Sequence, residues 1–251
     1  MDLGLTDHTY IVTGGSRGLG RATAEVLVAE GARVVISSRS KDSVDDAVAA
    51  LGPSAAGVAA DNADPDTPAR LVAEARDRFG RLDGALISVG GPPGGPISER
   101  TEDEWRAAFD SVFLGALRLA TTVADALTNG GSIAFVLSTS VKSPIANLGI
   151  SNGLRPGLAM AAKTLADELG PRGIRVNGVM PGPIDTDRAR ELDASTGDAV
   201  AAKEKKVATV PLGRYGEPEE FGRAAAFLLS PAASFVSGIM LPVDGGQLRA
   251  L

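Results

Sequence analysis

The sequence predicts an α/β fold, a doubly wound parallel sheet of about seven strands with helices on both faces. Apolar or β-branched runs alternate with helical patterns from end to end, and a glycine-spaced turn follows the first run. No internal repeat, low-complexity tract or linker divides the 251 residues, so the chain reads as a single domain spanning 1–251. Strands separated by helices need crossover connections, which make the sheet parallel. A ligand then belongs at the carboxyl ends of the strands.

The first strand signal is Tyr10–Thr13, and the second is Arg33–Ser37. Between them Leu19–Glu30 reads as a helix, with Leu19, Ala22, Thr23, Val26 and Leu27 on one stripe and Gly31 as its stop. A third strand is expected at Gly57–Ala60. Asp64 then reads as the N-cap of a helix over Pro65–Phe79, with proline in its first turn. After a strand at Ala85–Ser88, the loop Gly90–Pro96 reads equally as a tight connection or as a wall for a substrate. The remaining strand signals are Ser132–Leu137, Arg175–Val179 and Ile239–Val243, and Glu102–Leu127 and Pro156–Leu169 carry helical apolar periodicity. Residues 187–210 are helical in composition but loosely patterned, and read as a substrate lid.

Composition excludes several classes of function. The chain has no cysteine, which rules out disulfides, thiol catalysis and thiolate metal sites and fits a cytoplasmic protein. Its one histidine, His8, precedes the first strand, and no acidic cluster has ligand spacing, so no metal is expected. A net charge of −6 opposes attraction to nucleic acid or anionic lipid. No uninterrupted apolar run reaches the ~18 residues of a membrane span. The N-terminus, neither basic nor apolar, does not read as a signal peptide.

The most informative stretch is Thr13-Gly14-Gly15-Ser16-Arg17-Gly18-Leu19-Gly20, directly behind Tyr10-Ile11-Val12. Gly14 and Gly18 permit a tight turn, and Gly18 and Gly20 permit close approach of a pyrophosphate and of the helix to the sheet. The helix N-terminus then presents its free N–H groups to phosphate. The second strand ends Ser37-Ser38-Arg39-Ser40, without the acid that would bind a ribose 2′-hydroxyl. Arg39 offers a planar fork to a 2′-phosphate, Ser38 a hydroxyl and Arg17 a second cation, which favours NADP(H) over NAD(H).

Over essentially its full length the chain resembles the short-chain dehydrogenase/reductase family, close in pattern to the 3-oxoacyl-carrier-protein reductase group. The motifs are the glycine loop, Asp61, Gly131-Ser132-Ile133 leading into Ser138, and Arg172-Gly173-Ile174-Arg175-Val176-Asn177. Pro181-Gly182-Pro183-Ile184-Asp185-Thr186 and Val243-Asp244-Gly245-Gly246 complete them. The resemblance implies a Rossmann fold and a homotetramer. It implies that Asp61 and Asn62 border the adenine, Gly90 the ribose, and Pro181, Ile184 and Thr186 the nicotinamide.

The family's catalytic Asn, Ser, Tyr and Lys are only partly matched. Alignment on Lys163-Thr164-Leu165-Ala166 and Arg172–Asn177 retains Ser138 but puts Ser151 at the Tyr position and Arg155 at the Lys position, and counting from Trp105 toward Gly115 puts Val112 at the Asn position. A serine hydroxyl is a far weaker acid than a phenol, and arginine stabilises an oxyanion but is a poor proton shuttle. Lys142 is a possible substitute donor or a solvated lysine. Tyr10 and Tyr215, the only tyrosines, do not readily replace the missing phenol. The expected function is NADP(H)-dependent oxidoreduction of a carbonyl or related unsaturated small molecule, with Ser138, Ser151 and Arg155 as the candidate catalytic set. The alternatives are a nucleotide-binding protein without catalysis and a lyase similar to the halohydrin dehalogenases.

Overall fold

The computed structural model describes residues 2–250, so Met1 and Leu251 lie outside the described residues. Strands β1 (Thr9–Thr13), β2 (Arg33–Ser38), β3 (Ala55–Ala59), β4 (Gly84–Ile87), β5 (Gly131–Val136), β6 (Ile174–Pro181) and β7 (Met240–Val243) form one sheet. Its order is β3-β2-β1-β4-β5-β6-β7, and every pairing is parallel. The sheet bears helices on both faces, as the alternating pattern predicts.

Alternation along each strand divides the interior into two cores. Tyr10, Val12, Val34, Ile36, Leu86 and Ala134 face helices α1 (Gly18–Ala29), α2 (Lys41–Leu51) and α9 (Pro218–Leu229). Ile11, Val35, Ala85, Ile87, Ile133 and Phe135 face α3 (Thr67–Phe79), α5 (Gly115–Ala126) and α6 (Gly149–Leu169). Because both faces are covered, the strands read as continuous apolar runs in the sequence.

Several boundaries differ from the sequence expectation. Strand β3 starts two residues early, on the buried pair Ala55 and Ala56, whose small side chains give little strand signal. Ser88 lies just beyond β4, where its N–H donates to Thr13 Oγ1 (2.9 Å) and its carbonyl accepts from that hydroxyl (2.8 Å). Asp64 does not cap a helix at Pro65. Its carboxylate accepts from Asp66 N (2.9 Å) in a local turn, and α3 begins at Thr67 with Pro68 in its first turn.

The apolar stretch from residue 102 is continuous helix but not uniform: α4 (Glu102–Ala108) passes through a π-helical segment, Phe109–Leu114, into α5. By length and composition Glu102–Ala126 is sufficient to cross a membrane, yet here Ala116, Leu119, Ala120 and Val123 pack into the core. Helix α6 begins at Gly149 rather than Pro156, and carries the proline inside it. The cause is close packing. A Cβ at Gly149, Gly153 or Gly157 would lie 2.8 Å from Ile97, 2.6 Å from Trp105 or 3.2 Å from Phe113. These glycines, spaced four residues apart, let the start of α6 lie against the turn at Ile97, α4 and the π segment, offsetting the cost of glycine and proline in a helix.

Helices α7 (Asp187–Ala194) and α8 (Ala199–Val207) occupy the excursion between β6 and α9. The hydroxyl of Thr186 caps α7 by accepting from Ala189 N (3.2 Å), and Asp198 caps α8 through Ala201 N (3.0 Å).

Candidate functional site

A cleft of about 1560 Å³ opens along the carboxyl ends of the strands, where the order reverses between β1 and β4. It collects every sequence-predicted site residue: Gly14, Ser16, Arg17, Gly18, Leu19, Gly20, Ser38, Arg39, Asp61, Asn62, Gly90, Pro181, Ile184 and Thr186, with Ser138, Ser151 and Arg155.

The glycine loop is a rigid cradle. Gly14 and Gly18 hold φ of 60° and 57°, which side-chain-bearing residues adopt only with strain. A Cβ at Gly20 would lie 2.4 Å from Gly14 O, so glycine there lets α1 press against the turn. The loop is tied down by Gly15 N on Ser37 O (3.0 Å) and by the Thr13–Ser88 pair. No side chain caps the start of α1, so its first N–H groups are left for a ligand at the cleft. This donor set suits the phosphates of a dinucleotide.

At the end of β2, Arg39 is exposed and has no ion-pair partner among the described residues. The guanidinium of Arg17 lies instead 3.5 Å from Glu191 on α7. Asp61 ends the β3 side, its carboxylate accepting from Ala63 N (2.9 Å).

The other end of the cleft holds three serines and a cation. Ser138 follows β5, and its hydroxyl accepts from Ser140 N (3.1 Å). Ser140, which motif reading passed over, is buried with its hydroxyl 3.4 Å from that of Ser151 on α6. Arg155, one helical turn further on, is only 4% exposed. It donates to the main-chain carbonyls of Val136 and Val89, and no acidic group pairs with it among the described residues. Burial pushes its guanidinium down to about 10, so it remains charged at neutral pH. Val112 is buried against Ile150 and Leu154 and also borders the cleft.

Chemistry-bearing groups arrive here from distant sequence. Tyr215 borders the cleft, but its hydroxyl donates to Asp193 Oδ2 (2.9 Å), and burial followed by that bond raises its pKa. It is therefore no ready acid. Lys206 holds the same carboxylate, so Tyr215, Asp193 and Lys206 join α7 and α8 to the segment before α9. Glu191 lies 3.5 Å from both Arg17 and Arg188, and Arg188 donates to Pro92 O (3.0 Å). Gly90, Gly91, Pro92 and Pro93 line the cleft, which favours the wall reading of their loop. Lys142 lines it as an exposed residue, and Gln247–Ala250 border it from the C-terminal segment.

Fold and cleft together define a Rossmann-fold protein. The chain belongs to the short-chain dehydrogenase/reductase family: residues 14–247 match the family profile described as Enoyl-(Acyl carrier protein) reductase. It is 34% identical to an L-rhamnose 1-dehydrogenase (NAD(P)(+)) of Azotobacter vinelandii, over 96% of this chain and 97% of that protein. It is 33% identical to a 3-oxoacyl-[acyl-carrier-protein] reductase of Synechocystis, over 97% and 98%. The solved L-sorbose reductase of Gluconobacter frateurii, complexed with NADPH and L-sorbose, superposes with a TM-score of 0.94 at 29% identity over the whole of both chains.

Proposed function

We propose that this chain is an NADP(H)-dependent oxidoreductase acting on a carbonyl or related unsaturated small molecule, without a phenol as its acid. The observation that carries this reading is Arg155, a buried cation with no counter-ion beside Ser138 and Ser151 at one end of a dinucleotide-shaped cleft. The NADPH in the L-sorbose reductase structure supports the choice of cofactor, as does the unpaired Arg39.

In this reading the α1 N-terminus, Gly14, Ser16, Gly18, Leu19 and Gly20 hold the pyrophosphate, and Ser38 and Arg39 hold the 2′-phosphate. Asp61 and Asn62 border the adenine, Gly90 the ribose, and Pro181, Ile184 and Thr186 the nicotinamide. When bound, the nicotinamide supplies or accepts hydride. Arg155 and Ser138 hold the substrate oxygen, Ser151 completes the polar wall, and water or the substrate supplies the proton. Fluorescence titration tests the cofactor assignment: NADPH is expected to bind more tightly than NADH, and equal affinities would overturn it. NADPH binding with no turnover on any carbonyl would favour a binding protein instead.

Residues 187–210 act as the substrate lid, latched where Glu191 bridges Arg17 and Arg188. These side chains are 41–66% exposed, and such pairs contribute only ~0–1 kcal/mol. Glu191→Gln is therefore expected to leave Tm unchanged while raising the NADPH off-rate in stopped-flow. A fall in Tm with an unchanged off-rate would contradict the latch.

We further propose a cytoplasmic homotetramer. Met160 is 69% exposed on α6, and Phe109 and Leu114 are exposed on the adjoining π segment. Light scattering at micromolar concentration is expected to give a tetramer's mass, and a monomer refutes the assignment.

A further inference from the structure

We propose that Asp193 is a positioning residue: its buried carboxylate, outside the cleft, sets the wall against which the nicotinamide lies. The inference rests on the cofactor reading above. It adds a residue that no motif marks and that does not itself line the cleft.

The wall is the segment that follows β6. Gly216 N donates to Pro183 O (2.9 Å) and Asp185 N donates to Gly216 O (2.9 Å), so Ile184 is hung between two main-chain bonds to one residue. Its side chain closes over the same residue, since a Cβ at Gly216 would lie 2.6 Å from Ile184 Cδ1. The place of Ile184 therefore follows the place of Gly216. The neighbouring Tyr215 is 5% exposed, and its hydroxyl donates to Asp193 Oδ2 (2.9 Å). Lys206 on α8 donates to the other oxygen, Oδ1. Burial, and then the bond to Asp193, raise the pKa of Tyr215, so the phenol stays a donor.

These contacts close a ring. The hydroxyl of Thr186, at the end of the wall, caps α7 by accepting from Ala189 N (3.2 Å), and Asp193 lies near the end of the same helix. From Asp193 the path returns through Tyr215 and Gly216 to Pro183 and Asp185. Lys203 braces it, 5.0 Å above the Tyr215 ring and 3.0 Å from Asp185 Oδ2. Asp193 is 3% exposed, and an apolar side chain would often fill such a place without loss of stability. What a carboxylate adds is direction, since its two oxygens hold two donors at fixed places. Removing it frees Tyr215, and with it Gly216, at the end of the cleft where Ile184 and Thr186 stand. The adenine end meets α7 through the exposed pair of Arg17 with Glu191, a weak contact by comparison.

Two ligands separate the ends. Adenosine 2′,5′-bisphosphate carries the adenine, the ribose and the 2′-phosphate but no nicotinamide, whereas NADPH carries them all. Asp193→Ala is expected to weaken NADPH about tenfold, through loss of hydrogen bonds to a charged group, and to leave the bisphosphate within about twofold. The emission of bound NADPH reports the surroundings of its nicotinamide ring, and should shift toward that of the free cofactor. Asp193→Asn should retain most of the NADPH affinity, because its amide can accept from Lys206 and donate to the Tyr215 hydroxyl. Tyr215→Phe keeps the ring and should fall between the two; it carries the same test if Asp193→Ala does not fold. A merely structural aspartate would lower Tm and weaken both ligands alike. That result, or NADPH affinity and emission unchanged in Asp193→Ala and Tyr215→Phe, overturns the proposal while leaving the cofactor reading standing. Failure of the unmodified protein to bind either ligand would overturn the cofactor reading and this inference with it.

Discussion

Ser151→Tyr combined with Arg155→Lys is expected to raise reduction of a 3-oxoacyl thioester by ~10²–10⁴-fold, the usual contribution of a positioned general acid. In the proposed reading the glycine loop and the Thr186 region position the dinucleotide, so hydride positioning is not the deficit. On that reading the deficit is an acid of suitable pKa beside the reacting oxygen. Residues 151 and 155 lie one turn apart on α6, and both border the cleft. A tyrosine at the first would therefore extend into the space a substrate carbonyl occupies, with a lysine behind it to lower its pKa. Arg155→Lys alone should help much less, because a lysine without the phenol has nothing to activate. The measurement is the initial rate of NADPH oxidation with the thioester at saturating cofactor. If the unmodified chain already matches family rates on simple ketones and Arg155→Ala leaves them unchanged, the assignment of the site is wrong.

The architecture was legible in the sequence because its signals are local. Strands β1, β2 and β5 are buried on both faces and announce themselves as apolar runs, and Gly31 stops α1 where the sequence places the stop. Asp64 and Pro156 misled because their meaning depends on partners. The carboxylate of Asp64 found Asp66 N rather than a helix start. Pro156 is tolerated inside α6 because Gly149, Gly153 and Gly157 let that helix pack against Ile97, Trp105 and Phe113. A glycine at every fourth residue, 149, 153 and 157, was the readable signal for that contact.

The candidate site divides in the same way. Motif spacing assembled Ser138, Ser151 and Arg155 in one cleft, since their positions follow from strand ends and one helix face. The environment of each residue was not legible. The missing counter-ion of Arg155, the pairing of Arg17 with Glu191 and the bond from Tyr215 to Asp193 depend on segments distant in sequence. Arg17 shows the consequence. Charge made it a candidate second ligand for the 2′-phosphate, and its contact with Glu191 on α7 also ties it to the segment proposed as a lid.

That contrast separates the two arginines experimentally. Arg39→Asp should reduce the preference for NADPH over NADH at least about tenfold, since a charge-assisted hydrogen bond is lost and an anion faces the 2′-phosphate. The loss should fall almost entirely on NADPH, because NADH offers a hydroxyl that an aspartate can accept from. Arg39 is exposed, so the preference of the unmodified protein should also shrink as salt screens the contact. Arg17→Ala, by contrast, should weaken both coenzymes by similar factors if its contact with Glu191 on α7 latches the proposed lid. Titrating each variant with both coenzymes at low and high salt gives the comparison directly. A preference that survives Arg39→Asp but collapses in Arg17→Ala would exchange the two roles and return Arg17 to the 2′-phosphate.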